Sequence, residues 1–331
     1  MKKRTKGIFL TIVGLAVLAL YLLSGRYPSA GFTNPGLFLT DETARSVLLS
    51  IRLPRALAAI LMGAVLGASG ASFQSIFGNP LVDAGFLGVS QGAAFGAAMA
   101  IVAGLDPERS ESLIIASSFA MAMAALWVSL ALAKRFKFGG QVVRLVLSGL
   151  AVSAFFSALL AAVKYAADPL SQLPDIVFWT MGSLSQAGWS RLALVAPLSI
   201  LCLSALLLLR WRTNLLSLDD EVSRSMGLKP EAERALIAAI AGIGVATVTA
   251  SFGIVSWIGL VIPHAARMYS GPDARKSLPL SILGGALFAL IADGLARSLF
   301  QGELPLGIVT AVLGSVAFVA AMASRTSELT R

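Results

Sequence analysis

Two serines stand in surroundings that suit nucleophilic chemistry. Gly88-Val89-Ser90-Gln91-Gly92 fits the G-x-S-x-G elbow of hydrolases, and Gly67-Ala68-Ser69-Gly70 fits the G-x-S-G serine of membrane-embedded proteases. Either would need a histidine base within hydrogen-bonding reach. The chain has one histidine, His264, which follows Pro263 at the end of a short apolar run. The elbow also needs a strand before it, and Ser75–Leu87 supplies no strand pattern. Small residues at helix-packing spacing account for both motifs, because Gly63/Gly67 and Gly92/Gly96 are G-x-x-x-G pairs that let helix backbones approach. One histidine and one cysteine, Cys202 within an apolar run, also leave no multi-ligand metal site and no disulfide. No catalytic residue and no metal site are expected in this chain.

The remaining chemistry-bearing groups are charges. Asp293 is the acid nearest the interior of an apolar run, where carboxylates often mark ion or proton paths. It also precedes Arg297 by four residues, the spacing of a helix-end ion pair. Arg52 and Arg55 flank Pro54 at the mouth of another run. With Arg297 they read as an exposed basic set, either snorkelling arginines or a dock for a carboxylate-bearing protein. Leu215–Gly227 (LLSLDDEVSRSMG) is a polar island between apolar runs. Leu218, Val222 and Met226 fall on one helical face, while Asp219, Asp220, Glu221 and Arg224 lie around the others, and Gly227 is a stop signal. A helix this short needs its own domain or a partner to hold it.

Composition fixes the setting of these groups. Of 331 residues, 57% are hydrophobic and 13% charged, with a mean hydropathy of +0.83. Soluble domains carry about 25% charged residues, so an all-α integral membrane protein is expected, as one membrane domain over residues 1–331. Apolar runs lie at Ile8–Leu23, Ala56–Ala71, Gly88–Leu105, Leu113–Ala133 and Leu145–Val163. Others follow at Leu192–Leu209, Ala235–Ala250, Ile254–Ala266, Leu278–Ala292 and Leu304–Ala323. These predict ten spans, the first an uncleaved helix rather than a signal peptide. Several are short and Gly-rich, which implies shielded or broken helices. With both termini on one side, 18 of the 26 lysines and arginines fall on that side, together with the Leu215–Gly227 island. The positive-inside rule makes that side cytoplasmic and the protein a multi-pass protein of the cytoplasmic (inner) membrane. The net charge of +9 then faces the cytoplasm and anionic lipid, not nucleic acid. No G-x-x-x-x-G-K-[ST] loop occurs, so an ATP-driven process would need a separate ATPase chain.

Five blocks in order resemble the FecCD family, permeases of type II ABC importers for iron chelates, haem and vitamin B12. They are RLPRALAAILMGAVLGASG (52–70), FGNPLVDAGFLGVSQGAAFGA (77–97), LDDEVSRSMGL (218–228), GIVSWIGLVIPHAAR (253–267) and ADGLARSLFQGELPLGIVTAVLG (292–314). Gly78, Ala84, Asp219 and Trp257 depart from the usual Arg, Pro, Gly and Phe.

The resemblance implies ten helices and a second permease subunit, expected as a homodimer with a heterodimer as the alternative. It further implies two cytoplasmic ATPases that carry the ATP and magnesium, and an extracytoplasmic substrate-binding protein. It makes LDDEVSRSMGL, within the Leu215–Gly227 island and its following Leu228, the coupling helix seated on the ATPase, with Leu218, Asp219, Asp220, Glu221, Val222, Arg224, Met226 and Gly227 as its contact residues, and Arg52, Arg55 and Arg297 the receivers of binding-protein glutamates. Gates would fall at Asn79-Pro80-Leu81 and Gln141-Val142. The fifth span, with Ser148, Ser153 and Ser157, would line the path unless those serines serve helix packing. The competing reading is an ion- or proton-coupled secondary transporter, which broken spans suit. Asp168–Trp189 reads as an interfacial helix or an entrance cap.

Overall fold

The computed structural model describes residues 2–25, 27, 31–105, 110–299 and 302–329, with side chains described outside 2–11 and 322–329. Helix α1 (Lys2–Leu23) leads into a two-stranded ribbon, β1 (Ser24–Gly25) and β2 (Gly31–Phe32), then α2 (Leu37–Thr40) and α3 (Glu42–Val47). Asp41 caps α3 by accepting from the Thr43 and Ala44 amides. After α3 a π-helical turn, Leu48–Arg52, runs without a break into α4 (Leu53–Phe77). The wider turn accommodates Pro54, which has no amide to give. The helix therefore extends far beyond the apolar run Ala56–Ala71, carrying Arg45, Arg52 and Arg55 within it.

The chain continues through α5 (Val89–Val102), α6 (Glu111–Arg135), α7 (Gln141–Ala166), α8 (Gln172–Thr180) and α9 (Trp189–Leu215). It ends with α10 (Asp220–Ser225), α11 (Pro230–Phe252), α12 (Ile258–Ser270), α13 (Ala274–Ser298) and α14 (Leu306–Leu329). Among the described residues, 6 helices are long and apolar enough to cross a membrane: Glu42–Phe77, α6, α7, α9, α11 and α13. Ile12–Leu23, Val89–Val102 and Leu306–Ala321 are shorter apolar helices.

Helix α4 is the hub, with α9, α11, α12 and α13 packed around it. Its glycines explain how the backbones come so close. A Cβ at Gly63 would run into the Gly285 carbonyl and Ala289, and one at Gly67 into the Ser281 carbonyl. The second pair works alike between α5 and α6, where a Cβ at Gly92 would sit 2.6 Å from the Met121 carbonyl oxygen. Packing between apolar helices in lipid rests on such close approach, since lipid tails are as apolar as leucine.

Three breaks meet where α11 ends. The Ser183 amide donates to the Phe252 carbonyl (2.9 Å), Leu306 to Gly182 (2.8 Å) and Gly307 to Met181 (2.9 Å). Backbone groups freed by the ends of α8 and α11 and the start of α14 thus satisfy one another, as a low-dielectric interior requires. Gly253 (φ 75°) leaves no room for a side chain beside the Trp179 carbonyl. Trp257 is the non-glycine residue with positive φ among the described residues, at 73°. Its indole lies edge-on to Phe318, and a Cβ at Gly314 would come within 2.5 Å of the Trp257 Cβ and 2.9 Å of the indole Cγ. The short run Ile254–Ala266 is thus a broken segment, as the short, glycine-rich spans suggest.

Replacing Gly285 by Val should cost about 1–3 kcal/mol or more, because a helix carbonyl and not a flexible side chain stands in the way. The thermal midpoint in detergent should fall. Gly140→Ser, at a position with open space around its Cβ, should leave the midpoint within error of wild type.

Candidate functional site

The three arginines of the expected dock are gathered at one end of the molecule but are not exposed. Arg52, Arg55 and Arg297 are 3%, 6% and 8% accessible. Arg52 donates Nη1 to the Leu22 carbonyl (2.8 Å) and Thr33 Oγ1 (3.0 Å), and Nη2 to the Tyr27 carbonyl (3.1 Å). It closes the C-terminal end of α1 and stitches the ribbon that follows. Arg55 donates Nε and Nη2 to the two oxygens of Asp293, each at 2.9 Å, and Nη1 to Glu303 at 2.9 and 3.0 Å. The Tyr21 hydroxyl donates to Asp293 Oδ2 at 2.5 Å. Arg297 donates to the Tyr21 carbonyl, and its guanidinium lies 4.0 Å over the Tyr21 ring.

The exposed basic set is thereby corrected. The chain folds its own acceptors over each guanidinium, which no charge count reveals. Asp293 is also reassigned: the spacing pointed to Arg297, and the partner found is Arg55, 238 residues away. The carboxylate is held by a bidentate arginine and a phenol and is fully buried. Tyr21 and Glu303 carry no periodic signal and were not singled out by sequence. Glu303 keeps a side chain 36% accessible, the open edge of the Arg55 cluster among the described residues.

A second ion pair joins α6 to α9, with Arg191 Nε at 2.5 Å from Glu111. Arg191 also donates to the Ser251 carbonyl (3.1 Å) and to Gln186 Oε1 (2.8 Å), beside a cavity of about 570 Å³. Gln172, Asp175, Trp179, Ser183 and Ser185 of the Asp168–Trp189 stretch line that cavity. The stretch contains the short helix α8, and its Trp189 indole donates to the Leu49 carbonyl at 2.9 Å.

The polar island is partly redrawn. Leu215 ends α9, a turn follows, and the helix itself is only Asp220–Ser225, set off by Asp219 with an extended ψ of 147°. Ser223 fastens it by donating to the Leu215 carbonyl at 2.9 Å. Leu218, Val222 and Met226 are 45%, 45% and 54% accessible. Asp219, Glu221, Arg224 and Gly227 are exposed around them, while Asp220 is half-buried. The apolar face faces outward.

Asn79, Pro80 and Leu81 form an exposed turn in which Asn79 Oδ1 accepts from the Leu81 amide at 2.9 Å. Further along this loop, burial pushes the Asp83 carboxyl up from the usual range. Gln141 and Val142 are half-buried at the start of α7, and Gln141 Nε2 donates to the Glu231 carbonyl at 2.8 Å. Ser148 is fully buried and donates to the Leu145 carbonyl, on the face that packs inward with Leu145, Val152 and Phe156. Within this chain it serves packing, the alternative the sequence left open for it. Ser153 is half-buried, whereas Ser157 lies on the open face of α7 with Leu147, Leu150 and Phe155.

The serine motifs are packing devices. Ser69 donates its hydroxyl to the Ala241 carbonyl of α11 at 3.1 Å, and the His264 ring lies 6.2 Å from that of Phe318.

A model of the FecCD transport family matches residues 8–324. The molybdate import system permease protein MolB of Haemophilus influenzae is 37% identical over 320 residues, covering 94% of this chain and 93% of that protein. An iron chelatin transport system permease of Helicobacter pylori is 42% identical over 286 residues, covering 85% of each chain. A solved structure titled as an inward-facing conformation of a metal-chelate type ABC transporter superposes with a TM-score of 0.88. It is 34% identical and covers 98% of this chain and all of that one.

Asp293→Asn should cost about 3–5 kcal/mol, since it leaves the buried Arg55 without its main counter-charge. Glu303→Gln, at the open edge, should cost under about 1 kcal/mol. The double change Arg55→Met with Asp293→Leu should recover much of the loss. Thermal midpoints of the purified variants in one detergent would rank the three.

Proposed function

The chain belongs to the FecCD transport family and is a permease component of an ABC importer in the cytoplasmic membrane, and from that premise we propose how it works and what it carries. The cargo is an iron chelate such as a ferric siderophore, haem or cobalamin, handed over by an extracytoplasmic binding protein to a path between two permease copies. Ten membrane helices, α1, α4–α7, α9 and α11–α14, put both termini in the cytoplasm. Two ATPase subunits bind and hydrolyse ATP with magnesium, and this chain couples their motion to the path.

The observation that carries the reading is the outward apolar face Leu218, Val222 and Met226 on a short helix fastened to α9. Three large apolar side chains on a polar, membrane-edge segment need a protein groove to cover them. The acidic residues Asp219 and Glu221 beside them would set the register of that seat by charge. The open faces of α7 and α9, whose apolar windows are each only 28% buried within the chain, are available to lipid and to a second copy.

Docking at the arginine end takes a different form from the sequence expectation. Arg55 reaches the surface only beneath Glu303, so a partner carboxylate would have to exchange with Glu303 to reach it. The closed state of Asp293 argues against a proton path, since its charge is neutralised by Arg55 within the same chain. Oxyanion cargo is a second reading, favoured by the 37% identity to the molybdate permease. Uptake into proteoliposomes of a labelled ferric siderophore, haem, cobalamin and molybdate, each with its binding protein, separates the two cargo classes.

Glu221→Arg or Val222→Asp should abolish stimulation of ATP hydrolysis by loaded binding protein, by a factor of about ten or more if the seat loses over about 1.4 kcal/mol. The thermal midpoint of the permease alone should not move, as both side chains are exposed. Undiminished stimulation in both variants would sink the coupling role of α10.

A further inference from the structure

Where α10 meets the rest of the chain, a single buried side chain touches three segments. Arg234 lies in the first turns of α11 and is 5% accessible. Its Nη1 is 2.7 Å from Asp220 Oδ1, at the first residue of α10. Its Nη2 donates at 3.2 Å to the Leu216 carbonyl, in the turn that closes α9. Nη1 also reaches Gln141 Oε1, at the first residue of α7, at 3.4 Å. The far side of Gln141 is tied down as well, by its bond to the Glu231 carbonyl, and Arg144 Nη2 lies 3.7 Å from the Glu231 carboxylate.

We propose that Arg234 is a positioning residue that transmits displacement of α10 to the start of α7. This rests on the reading of α10 as the seat for the ATPase. Guanidinium geometry suits the task, because its donors lie in one rigid plane and moving any acceptor re-aims the others. An ammonium also has three donors, but they rotate freely about one nitrogen and would not couple the acceptors' positions in this way. The Arg234 Nε is buried and has no acceptor among the described residues, so the fork is not saturated in this arrangement and has a donor to spare in another.

The surrounding packing decides which parts can follow. Helix α4 is locked to α13 by backbone-to-backbone contact through Gly63, Gly67 and Gly285, and such an interface has no second register nearby. The body of α7 packs on α5 and α6 through Leu145, Val152 and Phe156. Its first turn, by contrast, is joined to α11 through side-chain hydrogen bonds and an ion pair, which can exchange partners over a short shift. Rigid interfaces with exchangeable polar contacts at one end are what a discrete two-state movement requires. Arg234 connects the moving input, Asp220, to the one end of α7 that is free to respond.

The test uses the permease reconstituted with its ATPase in nanodiscs, on a Cys202→Ser background. Spin labels at Val143→Cys and Leu208→Cys, both outward-facing, report the distance from the start of α7 to α9. Addition of Mg-ATP and vanadate should shift that distance in the wild-type background. In Arg234→Gln the shift should shrink at least about threefold. Basal ATP hydrolysis and cross-linking of Ser225→Cys to the ATPase should stay at wild-type level. A full-size shift in Arg234→Gln overturns the proposal. Absence of the Ser225→Cys cross-link in the wild-type background instead overturns the seat on which it rests, a distinguishable failure. If Arg234→Gln does not assemble, Gln141→Leu removes one arm of the bridge and should reduce the shift about twofold. An undiminished shift there also overturns the proposal.

Discussion

A guanidinium and a carboxylate, Arg55 and Asp293, face each other with side chains 7% and 1% accessible. Taking both charges out of water costs several kcal/mol per ion, and their attraction offsets this only if the remaining hydrogen-bonding capacity is filled. The sequence fills it from two other places. Tyr21 comes from α1, Glu303 from the approach to α14, and the partners themselves from α4 and α13. Misplacing any of these segments would strand a charge. The cluster therefore specifies which helix ends meet, even where the pair adds little net stability. Arg297 against the Tyr21 ring and Arg52 on the end of α1 extend the same constraint to the first helix and its ribbon.

Below that end, specificity passes from charge to shape. The glycines of α4 and α13 bring carbonyls and Cα atoms into contact, and the glycines of α5 do the same against α6. The three breaks around Phe252, Gly182 and Gly307 satisfy one another's backbones. This leaves a compact half, α4 with α9 and α11–α13, built from contacts that admit no sliding. At the α10 end the links are of another kind. Asp220, Arg234, Gln141 and Glu231 are joined by side-chain bonds, several at the edge of solvent. One end of the molecule is fixed by buried charge, the middle by backbone contact, and the other end by bonds that can be traded. Under the coupling role proposed for α10, that gradient is the expected distribution of stiffness.

Much of this was legible in the sequence because it is written locally. Of the ten apolar runs, six lie in helices long and apolar enough to cross a membrane and three in shorter apolar helices; the G-x-x-x-G pairs marked the close interfaces, and the spacing of Leu218, Val222 and Met226 marked an apolar face that the fold leaves uncovered. What failed to show was long-range. Arg52, Arg55 and Arg297 read as exposed because a single sequence gives charge and side but not the distant acceptor that closes over each one. Asp293 offered a local partner at i+4, and the fold supplied another from 238 residues earlier. The place of Ser148 was not legible, because a helix with two apolar faces gives no phase from which to tell the packed side from the open one. The island was drawn too long since Leu215 and Leu216 continue the apolar periodicity while the backbone turns at Asp219. Arg234 looked like one cytoplasmic charge among many.

The backbone at Trp257 has a consequence for how such chains can diverge. The Trp257 Cβ and the root of its indole occupy the volume that a side chain at position 314 would need, and the residue itself sits at a left-handed φ in the break before α12. The two positions thus share one volume, although 57 residues separate them. Trimming the ring at 257 would not make room for a methyl group at 314, because the Cβ that any non-glycine residue carries there already stands 2.5 Å away. A side chain at 314 therefore requires the backbone itself to move, and the break and α14 keep their register only with glycine in that place. Position 314 should stay glycine across related chains while the ring at 257 changes, as a record of one backbone held close to another.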